Sequence, residues 1–344
     1  MRSRRNQLGI NAHAARRIGY CVRHCVYSLY RRVRGTGYPL RRAGAPAPPW
    51  PRVLPAYCRA RAVTGILRRV PAPFPPLLTS NEVEKMLLAR NAKARTLQCS
   101  LDLQRSTATV EIHESAWAWN GTRYPYPARC RERTIYYWAD TEYRSVARYT
   151  SSLIKLVPTD WGAPTFEIDG IKMLPTARVS PYADAERKVA LIRPQGKIIL
   201  DTCGGLGYFA AWCIKGHATH VHSFEKNPDV IWLRSMNPWS PAASAALTLT
   251  QFDVTAAVTT LASNSIDAIL HDPPRFGIAG ELYSQGFYDQ LARVLKRNGK
   301  LFHYTGTPNK LTSGRDVPNE VIGRLRKAGF ATEKIGDGVL AVKP

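Results

Sequence analysis

The chain has 344 residues, 44% of them hydrophobic, and a formal net charge of +24; that length suffices for about two domains. Its seven cysteines form no paired framework, which points to a reducing compartment and away from a disulfide-stapled secreted fold. No apolar run approaches the ~18 residues of a membrane span, so a soluble, cytoplasmic protein without a membrane partner is expected.

The charge is unevenly spread. Residues 1–80 hold 16 Arg, no Lys and no acid, leaving 33 basic against 25 acidic residues for the remainder. This leader is also proline-rich from Pro39 to Pro76, cannot bury enough apolar surface to offset its ordering entropy, and is expected to be disordered. It fits a transit peptide, with organelle import replacing the cytoplasm, a basic arm for nucleic acid, or upstream sequence joined by a wrongly chosen start codon. Cys21 and Cys25 flank His24, but no second ligand pair is nearby and no metal site is expected.

Residues 81–180 are expected to form a small β-rich domain. Ser80 or Asn81 can cap a short helix. Leu97, Cys99, Leu101 and Leu103, then Ala108, Val110 and Ile112, occupy alternate positions, as half-buried strands require. Further strands are predicted at Thr134–Trp138 and Thr165–Ile168, with Asp169-Gly170 turning into Ile171–Leu174. The region interleaves aromatics such as Trp117, Tyr124, Trp138, Tyr143 and Tyr149 with arginines such as Arg133, Arg144 and Arg148. Such rings either stack on single-stranded nucleic acid or form core and strand surface.

From residue 181 to 344 strand and helix patterns alternate, which predicts an α/β, doubly wound, Rossmann-like seven-stranded sheet with its ligands at the strand C-termini. Strands are predicted at 219–224, 247–252, 266–270 and 300–304, and helices at 184–192, 228–236, 254–261, 282–296 and 317–328. The chain closes with Phe330–Ile335, Gly336-Asp337-Gly338 and Val339–Val342, the pattern of an antiparallel hairpin.

The stretch Gly196–Phe209, GKIILDTCGGLGYF, places an apolar strand before Asp201 and a turn carrying Gly204, Gly205 and Gly207. Glycines let a backbone approach a ligand, and the following helix presents free N–H groups. Glu225 ends the next strand, 20 residues after Gly205, where a carboxylate can take ribose hydroxyls. Asp253, with Phe252, ends the third and can meet an adenine, while Asp201 can receive an ammonium group. The fourth strand ends in Asp272-Pro273-Pro274-Arg275, a stiff loop suited to positioning an acceptor. His303 and Tyr304 are candidates for the same crevice. Gly205, Gly207 and Ala210 also satisfy a dinucleotide pattern, but Asp201 would repel a pyrophosphate.

With those residues in view, residues 181–344 resemble class I S-adenosylmethionine-dependent methyltransferases. DTCGGLGY is similar to the first motif of that group, Glu225 to its ribose-binding acid, Asp253 to its adenine-side acid and DPPR to its fourth motif. The run HDPPRFGIAGELYSQGFYDQLARVLKRNGKLFHYTG, with NPWS at 237–240 and FEIDGIKM at 166–173, resembles a poorly characterised archaeal-type methyltransferase family. That resemblance reaches back to about residue 80, which favours a foreign leader. It implies S-adenosylmethionine as cofactor and Asp272, Pro273, Pro274 and Arg275 around the transferred methyl group. Enzymes of this kind that methylate exocyclic amines place an aromatic where Arg275 stands, so Arg275 suggests instead a substrate phosphate or carboxylate. RNA is the leading acceptor, with a small molecule as the other. Two alternatives stay open: an aminopropyltransferase of the spermidine synthase kind using decarboxylated S-adenosylmethionine, and a non-catalytic nucleic-acid-binding protein.

Overall fold

The computed structural model describes residues 74–306 and 316–344. The expected disorder of the leader and the His24 cluster fall almost wholly or wholly on residues 1–73, outside the described residues. Among the described residues, Leu77–Leu78 of the predicted leader form a strand and Ser80 opens a helix.

The first part is built of short strands around helix α1 (Ser80–Asn91): β1 (Leu77–Leu78), β2 (Thr96–Cys99), β3 (Ala108–Ile112), β4 (Ala116–Trp119), β5 (Thr122–Pro125), β6 (Tyr136–Ala139), β7 (Glu142–Ser145), β8 (Ala147–Tyr149), β9 (Leu153–Val157), β10 (Thr165–Ile168) and β11 (Ile171–Lys172). They form three sheets, β1-β6-β7, β2-β3-β4-β5 and β11-β10-β9-β8. Asn120-Gly121 and Asp169-Gly170 both take positive φ, which matches the hairpin turn to the strand twist. Thr79, rather than Ser80 or Asn81, caps α1, its hydroxyl accepting from the Glu82 amide at 3.5 Å.

One predicted strand is shortened. Leu101 and Leu103 are buried as expected, yet the ladder stops at Cys99, because Ser100 Oγ accepts from the Gln104 amide at 2.7 Å and Asp102 Oδ1 from the Ser106 amide at 2.9 Å. Those side-chain bonds give the backbone a turn in place of a ladder.

The second part alternates as predicted: α2 (Pro181–Ile192), β12 (Ile198–Asp201), α3 (Tyr208–Lys215), β13 (His220–Glu225), α4 (Pro228–Met236), β14 (Leu247–Gln251), α5 (Val254–Thr260), β15 (Ile266–His271), α6 (Gln285–Val294), β16 (Leu295–Tyr304), α7 (Val317–Lys327), β17 (Ala331–Ile335) and β18 (Gly338–Val342). The predicted helix 282–296 divides: Gly280–Tyr283 is a 3-10 turn, Ser284 caps α6 by accepting from the Phe287 amide, and Leu295 already belongs to β16.

The sheet order is β14-β13-β12-β15-β16-β18-β17. The first five strands pair in parallel, and β18 runs antiparallel to both β16 and β17. This is a Rossmann-like seven-stranded α/β sheet closed by an antiparallel hairpin. Strand β12 pairs with both β13 and β15, so the winding reverses there, and a crevice opens at the C-terminal ends of β12 and β15.

Apolar side chains fill both faces. Ala185, Val189 and Ile192 of α2 and Phe209 and Cys213 of α3 share one core with Ile154 and Leu156 of β9 and Phe166 of β10. Val258, Leu291, Val321 and Leu325 build the other from α5, α6 and α7. A third core, with Trp117 at its centre, fills the space between α1 and the β2–β5 sheet.

Candidate active site

The crevice is a cleft of about 570 Å³. Gly204, Gly205 and Gly207, after β12, and Asp272, Pro273, Pro274 and Arg275, after β15, all line it, together with Glu225. Phe166, Ile171 and Lys172 reach it from the β10–β11 hairpin. With Tyr304, nine of the residues singled out in the sequence thus line one cavity.

Each glycine has a distinct reason. The Gly204 amide donates to the Phe224 carbonyl at 2.7 Å, pulling the loop against β13 so closely that a side chain at 204 would run into Ser223. Gly207 caps α3 at φ 82°, and its missing side chain leaves room for the guanidinium of Arg234. The Gly205 amide donates to Glu225 Oε2 at 3.1 Å, and the Asn227 amide to Oε1 at 2.9 Å. Burial raises the Glu225 carboxyl, while those two bonds and Arg234 oppose the rise.

Asp201 is placed behind the loop. It is 1% exposed and accepts from Ser223 Oγ at 2.8 Å; Arg234 Nη1 in turn donates to Ser223 Oγ at 3.2 Å. Burial pushes Asp201 up to about 6 against the pull of Ser223 and Arg234. Asp253 is the N-cap of α5, accepting from the Thr255 amide at 2.9 Å and its hydroxyl at 2.7 Å. Against a burial effect, those bonds lower its carboxyl. Phe252 packs on the second core. These three residues are not on the cleft wall.

At the other end, Asp272 meets a residue that sequence inspection passed over. Lys188 of α2, 1% exposed, places its Nζ 2.7 Å from Asp184 Oδ2 and 3.4 Å from Asp272 Oδ2, and 4.0 Å above the centre of the Tyr304 ring. Burial alone would lower the ammonium, but Asp272 and Asp184 outweigh it and hold it above its ordinary range. Asp272 itself is raised by burial in spite of Lys188. Arg187 spans Asp184 at 2.9 Å and Asp337 at 2.7 Å. The spacing of Asp184 and Lys188, one helical turn apart, was the available signal for a pair, though not for its place beside Asp272.

Tyr304 lines the cleft and His303 does not. His303 is fully buried on the opposite side of β16, its Nε2 2.9 Å from Tyr288 Oη and its Nδ1 2.9 Å from the Tyr304 carbonyl. A carbonyl only accepts, so Nδ1 carries the proton and Nε2 accepts from Tyr288. His271 beside it is bonded likewise, by the Leu282 carbonyl at 3.1 Å and Thr202 Oγ1 at 2.7 Å. Burial drives His271 well below its ordinary value and His303 down to about 3. Both are neutral core residues.

The aromatic region is mostly half-buried. Trp117 is fully buried and stacks on Tyr124 with ring centres 4.5 Å apart, whereas Tyr149 and Trp161 are exposed. Arg148 lies over Trp232 and pairs with Asp229, and Arg133 pairs with Glu167. Among the described residues Cys99, Cys130, Cys203 and Cys213 are free thiols, and no helix is long and apolar enough to cross a membrane.

No protein-family profile matches the chain. Its fold is similar to that of a spermidine synthase from Thermotoga maritima, at 18% identity and a TM-score of 0.46, covering 59% of this chain and 74% of that one. It is also similar to a putative S-adenosylmethionine-dependent methyltransferase from Listeria monocytogenes, at 11% identity and a TM-score of 0.37, covering 47% and 98%. At these values neither likeness bears on chemistry. The uncharacterized protein MJ1233 of Methanocaldococcus jannaschii is 40% identical over 218 residues, which cover 62% of this chain and 75% of that protein. Kinship at that identity over three quarters of MJ1233 extends well beyond the glycine loop, and the chain belongs to the MJ1233 family.

Proposed function

We propose that this protein is an S-adenosylmethionine-dependent methyltransferase, a member of an archaeal-type family carrying the DPPR motif. The observation that supports this most is Glu225, held by the Gly205 amide in a cleft that the Asp272 loop also lines. One cavity thereby offers a carboxylate for ribose hydroxyls, a side-chain-free loop and a stiff acceptor loop. Its volume is in the range of small-molecule and cofactor sites, roughly 300–1,000 Å³. The residues fit the cofactor: Gly204, Gly205 and Gly207 would hold it and Glu225 would fix its ribose, while Asp201 and Asp253 are engaged in the loop support and a helix cap. Bound there, it supplies an electrophilic methyl group.

The chain's own contribution is positional. Pro273 and Pro274 stiffen the loop, and Asp272 orients the acceptor or takes its proton. Arg275 lines the cleft, forms no ion pair with another described residue, and can pair with an acceptor phosphate or carboxylate. RNA is our leading acceptor class, with Tyr149 and Trp161 as the exposed rings able to stack.

A second reading, aminopropyl transfer from the decarboxylated cofactor, draws on three carboxylates, Asp184, Asp272 and Asp337, at one end of the cleft. Calorimetric titration of the chain with each cofactor separates the two. Preference for S-adenosylmethionine, lost in Glu225→Ala, supports methyl transfer; preference for the decarboxylated form overturns it, and binding of neither removes both.

A further inference from the structure

Two carboxylates and an aromatic face are the equipment with which proteins recognise an ammonium group. The cleft has that equipment where Asp184, Asp272 and Tyr304 converge, and the chain fills it with its own ammonium, that of Lys188. A second ring, Phe209, lies 5.9 Å from the same nitrogen.

We infer that Lys188 determines acceptor specificity: it permanently occupies the position an amine substrate would need, and so closes the reactive end of the cleft to cationic acceptors. The inference names the acceptor class for the transfer proposed above and rests on that reading.

Lys188 cannot easily leave. Helix α2 is fixed by the Ser180 cap, whose hydroxyl accepts from the Tyr182 amide at 3.2 Å, and by Ala185, Val189 and Ile192 in the core. Moving the ammonium away would leave the half-buried Asp272 without its cation and Asp184 with Arg187 alone. The third carboxylate, Asp337, is taken by Arg187. All three acids at this end are therefore paired with cations from one helix. Arg275 and Lys172, which also line the cleft, have no carboxylate partner among the described residues; Lys172 Nζ donates to Thr176 Oγ1 at 2.8 Å. Three acids against Lys188, Arg187, Arg275 and Lys172 leave a single positive charge in excess, which favours a neutral or anionic acceptor and disfavours a polyamine.

The test is calorimetric titration of the full chain with 1,4-diaminobutane, in wild type and in Lys188→Ala. Wild type is expected to show no saturable binding, and the variant to gain affinity by roughly tenfold or more as Asp272, the Oδ2 atom of Asp184 and the Tyr304 ring become available. Should Lys188→Ala be too unstable to titrate, its melting temperature is compared in methylammonium chloride and in sodium chloride at equal ionic strength, where the amine should raise it and leave wild type unmoved. Saturable diamine binding to wild type overturns the inference, as does a variant indifferent to both amines. S-adenosylmethionine binding by wild type is measured separately. A chain that fails it yet shows the amine pattern loses the proposed function and keeps the internal-ammonium role of Lys188.

Discussion

The guanidinium carbon of Arg234 lies 2.5 Å from the point a Gly207 side chain would occupy. The third glycine of the loop is thus required from behind, by the arginine that donates to Ser223, the hydroxyl bonded to Asp201, as well as by its φ of 82°. Gly207→Ala collides with that guanidinium and strains the backbone, and is expected to cost about 2 kcal/mol or more. Denaturant titration should show a lowered midpoint, and cofactor binding should weaken as the loop shifts. An unchanged midpoint would mean that Arg234 moves aside freely.

Arg275 predicts a split between cofactor and acceptor. A hydrogen bond to a charged group is worth about 1.5–3 kcal/mol, so Arg275→Ala should weaken an anionic acceptor roughly 10- to 100-fold. For a single-stranded RNA oligonucleotide, the slope of log affinity against log salt should fall by about one. S-adenosylmethionine affinity should hold. Equal loss of both ligands would place Arg275 on the cofactor instead.

The buried histidines predict an acid response with a definite sign. His303 has a folded value of about 3 against an ordinary 6.5, so the unfolded chain binds the extra proton. Its contribution is present in full above pH 6.5 and is lost as pH falls toward 3. His303→Leu leaves Tyr288 without its acceptor and should be less stable than wild type at pH 7. By pH 4.5 that gap should narrow by about 2 kcal/mol, because the variant has no such proton to take up. Urea unfolding at the two pH values measures this; a constant gap would mean that His303 takes up its proton as readily in the fold as in the unfolded chain. The comparison between the two chains cancels the opposite contribution of Asp201, raised to about 6, which stabilises the fold as pH drops below that value.

Leu77 and Leu78 are 1% and 0% exposed and pair with Tyr137 and Tyr136. A variant beginning at Asn81 loses both leucines, about 1.5–3 kcal/mol each, together with the Thr79 cap. It should melt well below a variant beginning at residue 74, as followed by circular dichroism. Equal melting temperatures would show β1 to be dispensable.

What the sequence determined by itself was the part governed by neighbours along the chain. The 228–236 helix starts at Pro228 behind the Asn227 cap, the Asp169-Gly170 turn forms as its residues demand, and the alternation of strand and helix leads to the observed sheet and hairpin. The glycine loop, Glu225 and the Asp272 loop were legible for the same reason, since a strand end followed by special backbone residues is a local signal. Tertiary structure decided which side chains share a space. His303 and Tyr304 are adjacent, and alternation sends them to opposite faces of β16, but only the packed helices reveal which face is cleft and which is core. Lys188 and Asp272 are 84 positions apart, and Arg187 and Asp337 150. Their meeting depends on strand order, on α2 lying over β15 and β16, and on the final hairpin bringing Asp337 back to the same end. Asp201 and Asp253 show the same limit: a carboxylate at a strand end can face a ligand, a buried serine or a helix cap, and that choice is made by whatever packs around it.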